Sequence, residues 1–553
     1  MNIRSFAFFC FLALAIISDL AFLADQSKAE KTSQVEIANS KKNVTTLPFL
    51  NPDLPLEARV SDLVSRLSLE EKIGQLMNDA PAIDRLGIPA YNWWNECLHG
   101  VARAGLATVF PQSIGLAATW DTDLMFELAT VISDEARAKH HQAIRRGERG
   151  IYQGLTFWSP NINLFRDPRW GRGMETYGED PYLTGTMAVS FIRGLQGDDS
   201  KYFKVIATAK HYAVHSGPEL DRHTFDAVVD FPDLRSSYLP HFEMAVREGG
   251  AYSVMCAYNC FRGLPCCGSP LLLNDILRHE WGFEGYVVSD CDAVDDIYAT
   301  HKLVPTLAEA AAMALKAGTD LNCGRAYAAL LEAVKKGLVD EATIDIAVKR
   351  LFTARFRLGM FDPEEGVPYA QIPYSAVDSP KHRLLALEAA RKSLVLLQNK
   401  NNVLPLPKSL KSIAVIGPNA DDVEVLLGNY NGFPAEPVTP LRSLREKAGS
   451  QTEIIYEAGT DWAEGIPVLT PIPAEFLKPA LNSKDRGLCG EYFANQELKG
   501  KPVDTRLDAG LDFNWWEEAP LPGLEPDNFS IRWTGYLFPS ESGDYYLGGE
   551  GFN

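Results

Sequence analysis

Four apolar runs in the middle of this chain end on residues whose types could do chemistry. Ile206-Ala-Thr-Ala runs into Lys210 and His211, and Val254-Met-Cys-Ala runs into Tyr258 and Asn259. Tyr286-Val-Val-Ser runs into Asp290, with Asp292, Asp295 and Asp296 close behind. Phe157-Trp-Ser-Pro leads into an arginine-rich stretch, residues 166–181, that carries Arg172. Short β-branched runs of this kind read as buried strands, and a strand is a rigid mount for the group at its end. Brought to one pocket, the four ends supply a Lys-His cation pair, a phenol, a carboxylate and a guanidinium. The cations are expected to hold Asp290 ionised and to bind hydroxyls. That set suits a carboxylate nucleophile attacking the anomeric carbon of a sugar.

Each residue taken alone has a plainer reading. An Asp after a strand is often a helix cap or turn residue. Lys210 reads equally as a structural ion-pair partner, and His211 as a satisfied core histidine. Arg169 and Trp170 read as structural, and Glu175 and Glu179 as partners for the nearby arginines. The coincidence of four strand ends is what favours chemistry at Asp290, with the three following aspartates solvated or capping the next helix.

The elements that must position these groups alternate strand and helix. Over about residues 51–375, strands near 204–209, 251–256 and 285–289 are interleaved with predicted helices at 271–281, 307–316, 327–336 and 343–358. Asp233 is predicted to cap a further helix bearing Leu234, Tyr238, Phe242 and Val246. Alternation over this length predicts an α/β chain with a (β/α)8-type, TIM-like barrel. A second α/β unit is expected at 379–484, with a helix at 384–393, a strand at Leu394-Val-Leu-Leu, and strands at Ser412-Ile-Ala-Val-Ile and Glu453-Ile-Ile-Tyr. It has too few elements to complete a sandwich. From 485 to 553 aromatic residues sit among Gly, Pro and Asp turns, which predicts the start of an all-β domain. The sequence stops there as if part-way through a domain.

Composition bounds the partners. The 553 residues are 46% hydrophobic and 23% charged, a globular balance, with a formal charge of −19. That excess of acid excludes a polyanionic nucleic acid or an anionic membrane surface as a natural partner; a neutral sugar is compatible. Arg4 followed by the twelve-residue apolar run 6–17 reads as an export signal ending near residue 29, followed by a flexible polar linker over 30–50. The run is short for a membrane span. A secreted or periplasmic protein is expected, with no membrane attachment after cleavage. Of nine cysteines, Cys256, Cys260, Cys266 and Cys267 crowd one segment, where a local disulfide is expected. The spacing does not fit a zinc site.

The motifs RDPRWGRGMETYGEDP, TAKHYAVHSGPE, MCAYN and YVVSDCDAV together resemble glycoside hydrolase family 3 over about residues 55–365. LVLLQNKNNVLPLP and IAVIGPNADD resemble the start of that family's second domain, and the tail from about 487 resembles a protective-antigen-type β-sandwich insertion. The resemblance implies a retaining, exo-acting β-glycosidase that needs neither metal nor organic cofactor. It places the nucleophile on Asp290 and sugar-holding roles on Arg172, Lys210, His211 and Tyr258. YNWWNECLHGVARAG, residues 91–105, and GNYNGFP resemble the β-xylosidase branch. There Glu96 stands where the family's β-glucosidases carry Asp. A carboxylate one methylene longer would reach the space of a hexose's exocyclic CH2OH, which a pentose lacks. Trp93 and Trp94 are candidates to stack on sugar faces.

A retaining mechanism also needs an acid/base about 5–5.5 Å from the nucleophile. In most of the family it is a late glutamate, and no segment here matches it. A minor branch uses a histidine, to which His215 corresponds in position only. The expected activity is therefore release of β-linked xylose from non-reducing ends of an oligosaccharide or polysaccharide. The alternatives are a β-glucosidase of the same family and a non-catalytic glycan-binding protein. The oligomeric state is not legible.

Overall fold

The computed structural model describes residues 47–215, 219–464, 471–513, 515, 519–524, 528–545 and 547–549. The expected signal at 1–29 and most of the expected linker lie outside the described residues. The end of that linker is built into the fold. Phe49 is buried edge-on against Phe361, and its carbonyl accepts from Arg59 Nε at 2.8 Å. The chain divides into two compact units. One comprises the residues up to Glu96 with Trp120–Tyr374; the other comprises Cys97–Thr119 with the residues from Ser375 onward.

In the first unit, β1 (Asp79–Ala80) pairs antiparallel with β2 (Tyr91–Asn92). Strands β3 (Thr156–Phe157), β4 (Ile206–Tyr212), β5 (Ser253–Cys256) and β6 (Tyr286–Ser289) form a continuous parallel sheet in that order. Single parallel bridges extend it, Asn95 to Phe157 on one side, Val288 to Leu321 and Asn322 to Met77 on the other. The pairing thus runs full circle through seven stations, six parallel junctions and one antiparallel. The expected TIM-like barrel is borne out, with one antiparallel junction in its closure. A parallel neighbour needs a crossover of a dozen or more residues; the segment between Ala80 and Tyr91 is too short for one and turns straight back. Every residue of β4, β5 and β6 is buried, which is why these strands read as unbroken apolar runs.

Helices jacket the barrel: α1 (Thr122–Arg145), α2 (Pro181–Gln196), α3 (Pro240–Arg247), α4 (Ala293–Ala299), α5 (Leu307–Ala317) and α6 (Glu341–Arg357). Asp121, Asp180 and Asp340 cap α1, α2 and α6 through their side chains. The cap expected at Asp233 falls instead on Asp230, whose carboxylate accepts the N–H of Asp233. Pro232 explains the shift, because its fixed φ suits the first helical turn.

The second unit contains the helix α7 (Pro380–Ser393) and a two-stranded parallel sheet of β7 (Ser412–Ile416) and β8 (Glu453–Glu457), with the helix Pro440–Ala448 against β8. Leu394–Leu397, expected as a strand, is not one, and its side chains are exposed. A strand exists only by pairing, and among the described residues no partner flanks it. The segment 97–119 clusters here rather than with the barrel. Gln112 Nε2 donates to Val425 O at 2.7 Å, and Ala107 N to Phe433 O at 3.0 Å. In the all-β part, β9 (Leu488–Phe493) lies antiparallel between β10 (Asp504–Asp508) and β11 (Ser530–Thr534). Asp508 accepts from Tyr492 Oη and Trp533 Nε1, each at 2.7 Å. Among the described residues no helix is long and apolar enough to cross a membrane.

Candidate active site

Five of the six candidate residues sit at carboxyl ends of barrel strands or bridges; Arg172 lies on a loop, just ahead of the short 3-10 turn Gly173–Glu175. Glu96 follows the bridge at Asn95, Lys210 and His211 end β4, Tyr258 follows β5 and Asp290 follows β6. The Asp290 amide donates to Cys256 O at 3.0 Å, and its carbonyl accepts from Ala293 N at 3.0 Å. Its Oδ1 accepts the N–H of Cys291 at 2.9 Å, while Oδ2 stands 3.5 Å from His211 Nε2. The structure therefore brings Asp290 and His211 together as the motifs required.

The charge state of His211 differs from expectation. His211 Nδ1 lies 2.7 Å from Asn163 Oδ1, an acceptor, so Nδ1 carries the proton and Nε2 a lone pair. Asn163 also takes the His211 amide N–H at 2.9 Å and returns a bond to its carbonyl. Burial, with Arg172 beside it, holds His211 well below the ordinary histidine range. It is a neutral ring, not half of a cation pair. For Asp290, burial raises the pKa, and Arg172, Lys210, the Cys291 amide and Tyr258 oppose that rise without cancelling it. Two acceptors, His211 Nε2 and Asp290 Oδ2, face each other, and a hydroxyl proton placed between them would satisfy both.

Two buried ion pairs frame the carboxylate. Lys210 Nζ reaches both oxygens of Glu96, at 2.8 and 3.0 Å, and Ser159 Oγ donates to Oε2 at 3.2 Å. Burial pushes Glu96 up to about 7 even against Lys210. Arg172 grips Glu175 with two prongs, Nε at 3.0 Å and Nη2 at 2.7 Å, and Nη1 stands 3.4 Å from His211 Nε2. Asn161 Nδ2 adds 3.1 Å to Glu175. Burial works to raise Glu175, but Arg172, Lys210 and Asn161 together leave it below its usual value. Tyr258 is pushed up by burial and by Asp290, so it stays a phenol and can donate. The Arg222 guanidinium lies 5.2 Å from its ring and the His223 ring 4.4 Å away.

Other expectations divide. Trp93 is core, packed edge-on against Tyr91 and Tyr286, whereas Trp94 stacks on Trp158 at 5.3 Å. His215 Nδ1 lies 3.3 Å from Asn259 Oδ1, its ring 4.9 Å from His211, and burial pushes it down to about 3. A histidine so held is neutral and no reservoir of protons for a leaving group. Asp296 is neither solvated nor a cap: it is buried and takes His223 Nδ1 and Thr300 Oγ1, each at 2.6 Å. Asp292 holds the N-terminal position of α4 without a capping bond, at φ 64°. The expected local disulfide is Cys256–Cys267; a second, Cys291–Cys323, had no sequence signal beyond an exported context.

Sequence reasoning missed Ser159, Asn161 and Asn163. A signal was there: they alternate along Ser159-Pro-Asn-Ile-Asn, so they share one face of an extended segment. It missed Arg222 and His223 because they lie on a loop with no periodicity. Among the described residues no cluster of three or more His, Cys, Asp or Glu is placed to hold a metal ion.

Residues 60–354, more than half of the chain, match the family model described as the glycosyl hydrolase family 3 N-terminal domain. The chain belongs to glycosyl hydrolase family 3. Residues 394–510 match that family's C-terminal domain and 484–552 the PA14 domain. Among curated relatives, family 3 membership is accompanied by 42% identity to the xylan 1,4-beta-xylosidase of Xylanibacter ruminicola, over 91% of this chain and 58% of that protein. The probable beta-D-xylosidase 7 of Arabidopsis thaliana is 45% identical over 75% of this chain and 56% of its own. A solved family 3 exo-beta-xylosidase, in complex with a xylobiose aziridine activity-based probe, superposes with a TM-score of 0.70 at 35% identity, covering 75% of this chain and 55% of its own. A beta-glucosidase from Listeria innocua, in complex with glucose, gives 0.63 at 28% identity, over 74% and 61%. The chain thus spans a little over half the length of these relatives.

Proposed function

We propose that this chain is the nucleophile-bearing part of an exported, retaining β-xylosidase that removes single xylose units from non-reducing ends of xylo-oligosaccharides. The observation that carries the reading is the convergence of His211, Arg172, Tyr258 and the Lys210–Glu96 pair on the buried carboxylate of Asp290. The relatives named as xylosidases support the choice of sugar. Asp290 attacks the anomeric carbon; the C–O bond to the leaving group breaks as the glycosyl–Asp290 ester forms, and water later releases the sugar. Arg172, Lys210, His211 and Tyr258 hold hydroxyls of the sugar being attacked. Glu96 closes the space a hexose CH2OH would need. The domain reading stands as part of the proposal: barrel at 51–375, first part of the second domain at 379–484 and part of a β-sandwich from 485. A β-glucosidase is the second reading, favoured by the likeness to the Listeria protein.

The experiment offers equal 2-deoxy-2-fluoro-β-xyloside and β-glucoside, each with a leaving group that departs unprotonated, and maps the adduct by mass spectrometry. This isolates the nucleophile from any acid/base. A pentose adduct on Asp290 is expected. A hexose adduct would keep the mechanism and replace xylosidase by glucosidase; an adduct on another residue would overturn the assignment of Asp290.

A further inference from the structure

Asp290 sits between two disulfides that differ in accessibility. Cys256–Cys267 ties the end of β5, and Cys256 O is the acceptor for the Asp290 amide; both of its cysteines are fully buried. Cys291–Cys323 ties the residue directly after the nucleophile to the residue after the Leu321–Asn322 bridges, and Cys291 is half-buried. The turn that it closes is under conformational load. Asp292 lies at φ 64°, a left-handed conformation that a non-glycine residue keeps only where its surroundings impose it. The surroundings are few: the Asp292 amide donates to Cys323 O at 2.9 Å, and the Cys323 amide donates to Ser289 Oγ at 2.9 Å. Gly324, at φ 114°, leaves room for the turn, since a Cβ there would meet Asp292 Oδ1. The N–H that this turn presents, that of Cys291, is the one bonded to Asp290 Oδ1.

We infer that Cys291–Cys323 is a positioning element for the nucleophile: it fixes the Cys291 amide as the donor that orients the Asp290 carboxylate. The inference rests on the assignment of Asp290 as nucleophile. A dithiol reductant breaks the S–S bond, transferring two electrons and two protons to give two thiols while the dithiol closes to its own disulfide. The half-buried bridge is the one within reach; the fully buried Cys256–Cys267 is the internal control. Without the bridge the Asp290 carboxylate loses a fixed donor, so its attack slows while the pocket that holds the sugar keeps its shape.

The test measures labelling of Asp290 by a 2-deoxy-2-fluoro-β-xyloside carrying a dinitrophenyl leaving group. Three forms of the full chain are compared: oxidised, selectively reduced at Cys291–Cys323, and the Cys291→Ser/Cys323→Ser double variant. Peptide mapping confirms that Cys256–Cys267 stays closed. The maximal labelling rate is expected to fall at least about tenfold, a barrier increase of about 1.4 kcal/mol. The half-saturating probe concentration should stay within about twofold, and the acidic limb of the rate should move to higher pH, because the carboxylate has lost a donor to its charged form. Re-oxidation of the reduced wild type should restore the rate, which excludes simple misfolding as the cause. Equal rates and equal pH limbs in all three forms would overturn the inference and leave Asp290 as nucleophile. No label on Asp290 in the oxidised wild type would overturn both.

Discussion

Lys210→Met tests the charge state of the buried framework most directly, because it removes one partner of the more deeply buried ion pair in the site. Lys210 and Glu96 are each about 1% exposed, and both carboxylate oxygens of Glu96 lie within 3.0 Å of Nζ. Removing one partner of such a pair while the other stays charged costs about 3–5 kcal/mol. Whether that penalty applies depends on pH. Glu96 moves from an ordinary 4.5 to about 7 on folding. A carboxyl raised in this way favours the folded protein below its unfolded pKa, and the contribution is lost as pH climbs through 7. At about 1.4 kcal/mol per pKa unit the wild type loses about 3 kcal/mol from this group between pH 4.5 and 7. At pH 8 the wild type holds an ionised pair, and Lys210→Met strands the carboxylate, so the full penalty of about 3–5 kcal/mol is expected. At pH 5 Glu96 is already neutral, and replacing the buried ammonium by an apolar chain should cost little or stabilise. Denaturant unfolding of both proteins at pH 5 and pH 8, followed on the transition that carries the barrel, reads the difference. An equal loss at the two pH values would refute this account, because it would mean that Glu96 stays ionised throughout and that the salt bridge, not burial, sets its charge.

Glu96→Asp should narrow the preference for xyloside over glucoside by about 10–200-fold, the range for a methylene in a fitted pocket; labelling rates with the two fluorosugars measure it, and an unchanged ratio removes Glu96 from sugar selection. His215→Gln should leave the labelling rate of Asp290 within a few-fold between pH 5 and 8. Its imidazole is neutral throughout that range and bonded to Asn259, and glutamine keeps the polar contact; a loss above tenfold would return His215 to the mechanism.

The sequence exposed the barrel and the strand ends that carry the candidate residues, but not how the barrel closes. Asp290, Tyr258 and the Lys210-His211 pair were legible because each ends a strand buried on both faces, and such strands announce themselves as apolar runs with a polar stop. The seven-station closure was not, because β1, β2 and β3 are two residues each and carry no periodicity. The failed strand at Leu394–Leu397 is the converse case: its composition is right, but pairing is a tertiary property that the local sequence does not hold. The charge of His211 was misjudged for one reason. Neighbours are visible in the motifs, whereas burial is not, and burial decides His211, Glu96 and Asp290 alike.

That shared cause has a consequence for reactivity. Arg172 with Glu175 is a charge-balanced pair, and Lys210 with Glu96 becomes one as pH rises through about 7, so there Asp290 is the unbalanced charge of the pocket once His211 is neutral. Protonating Asp290 discharges it, and so does forming a bond to an anomeric carbon. The burial that raises its pKa therefore also favours the covalent intermediate, as long as enough of it is ionised to attack. Arg172 is the strongest influence lowering Asp290, followed by Lys210. Glu175→Gln removes the carboxylate that balances Arg172, so the guanidinium acts on Asp290 with its full charge. The acidic limb of labelling should move to lower pH, and the rate on the plateau should fall because the anion is better stabilised before attack. Lys210→Met removes a cation and should move the limb the other way, to higher pH. Both variants share the same perturbed neighbourhood, so general disorder would move the two limbs in one direction. Opposite shifts identify the two ion pairs as what sets the charge on the nucleophile; shifts of one sign would mean that packing, not charge balance, controls it.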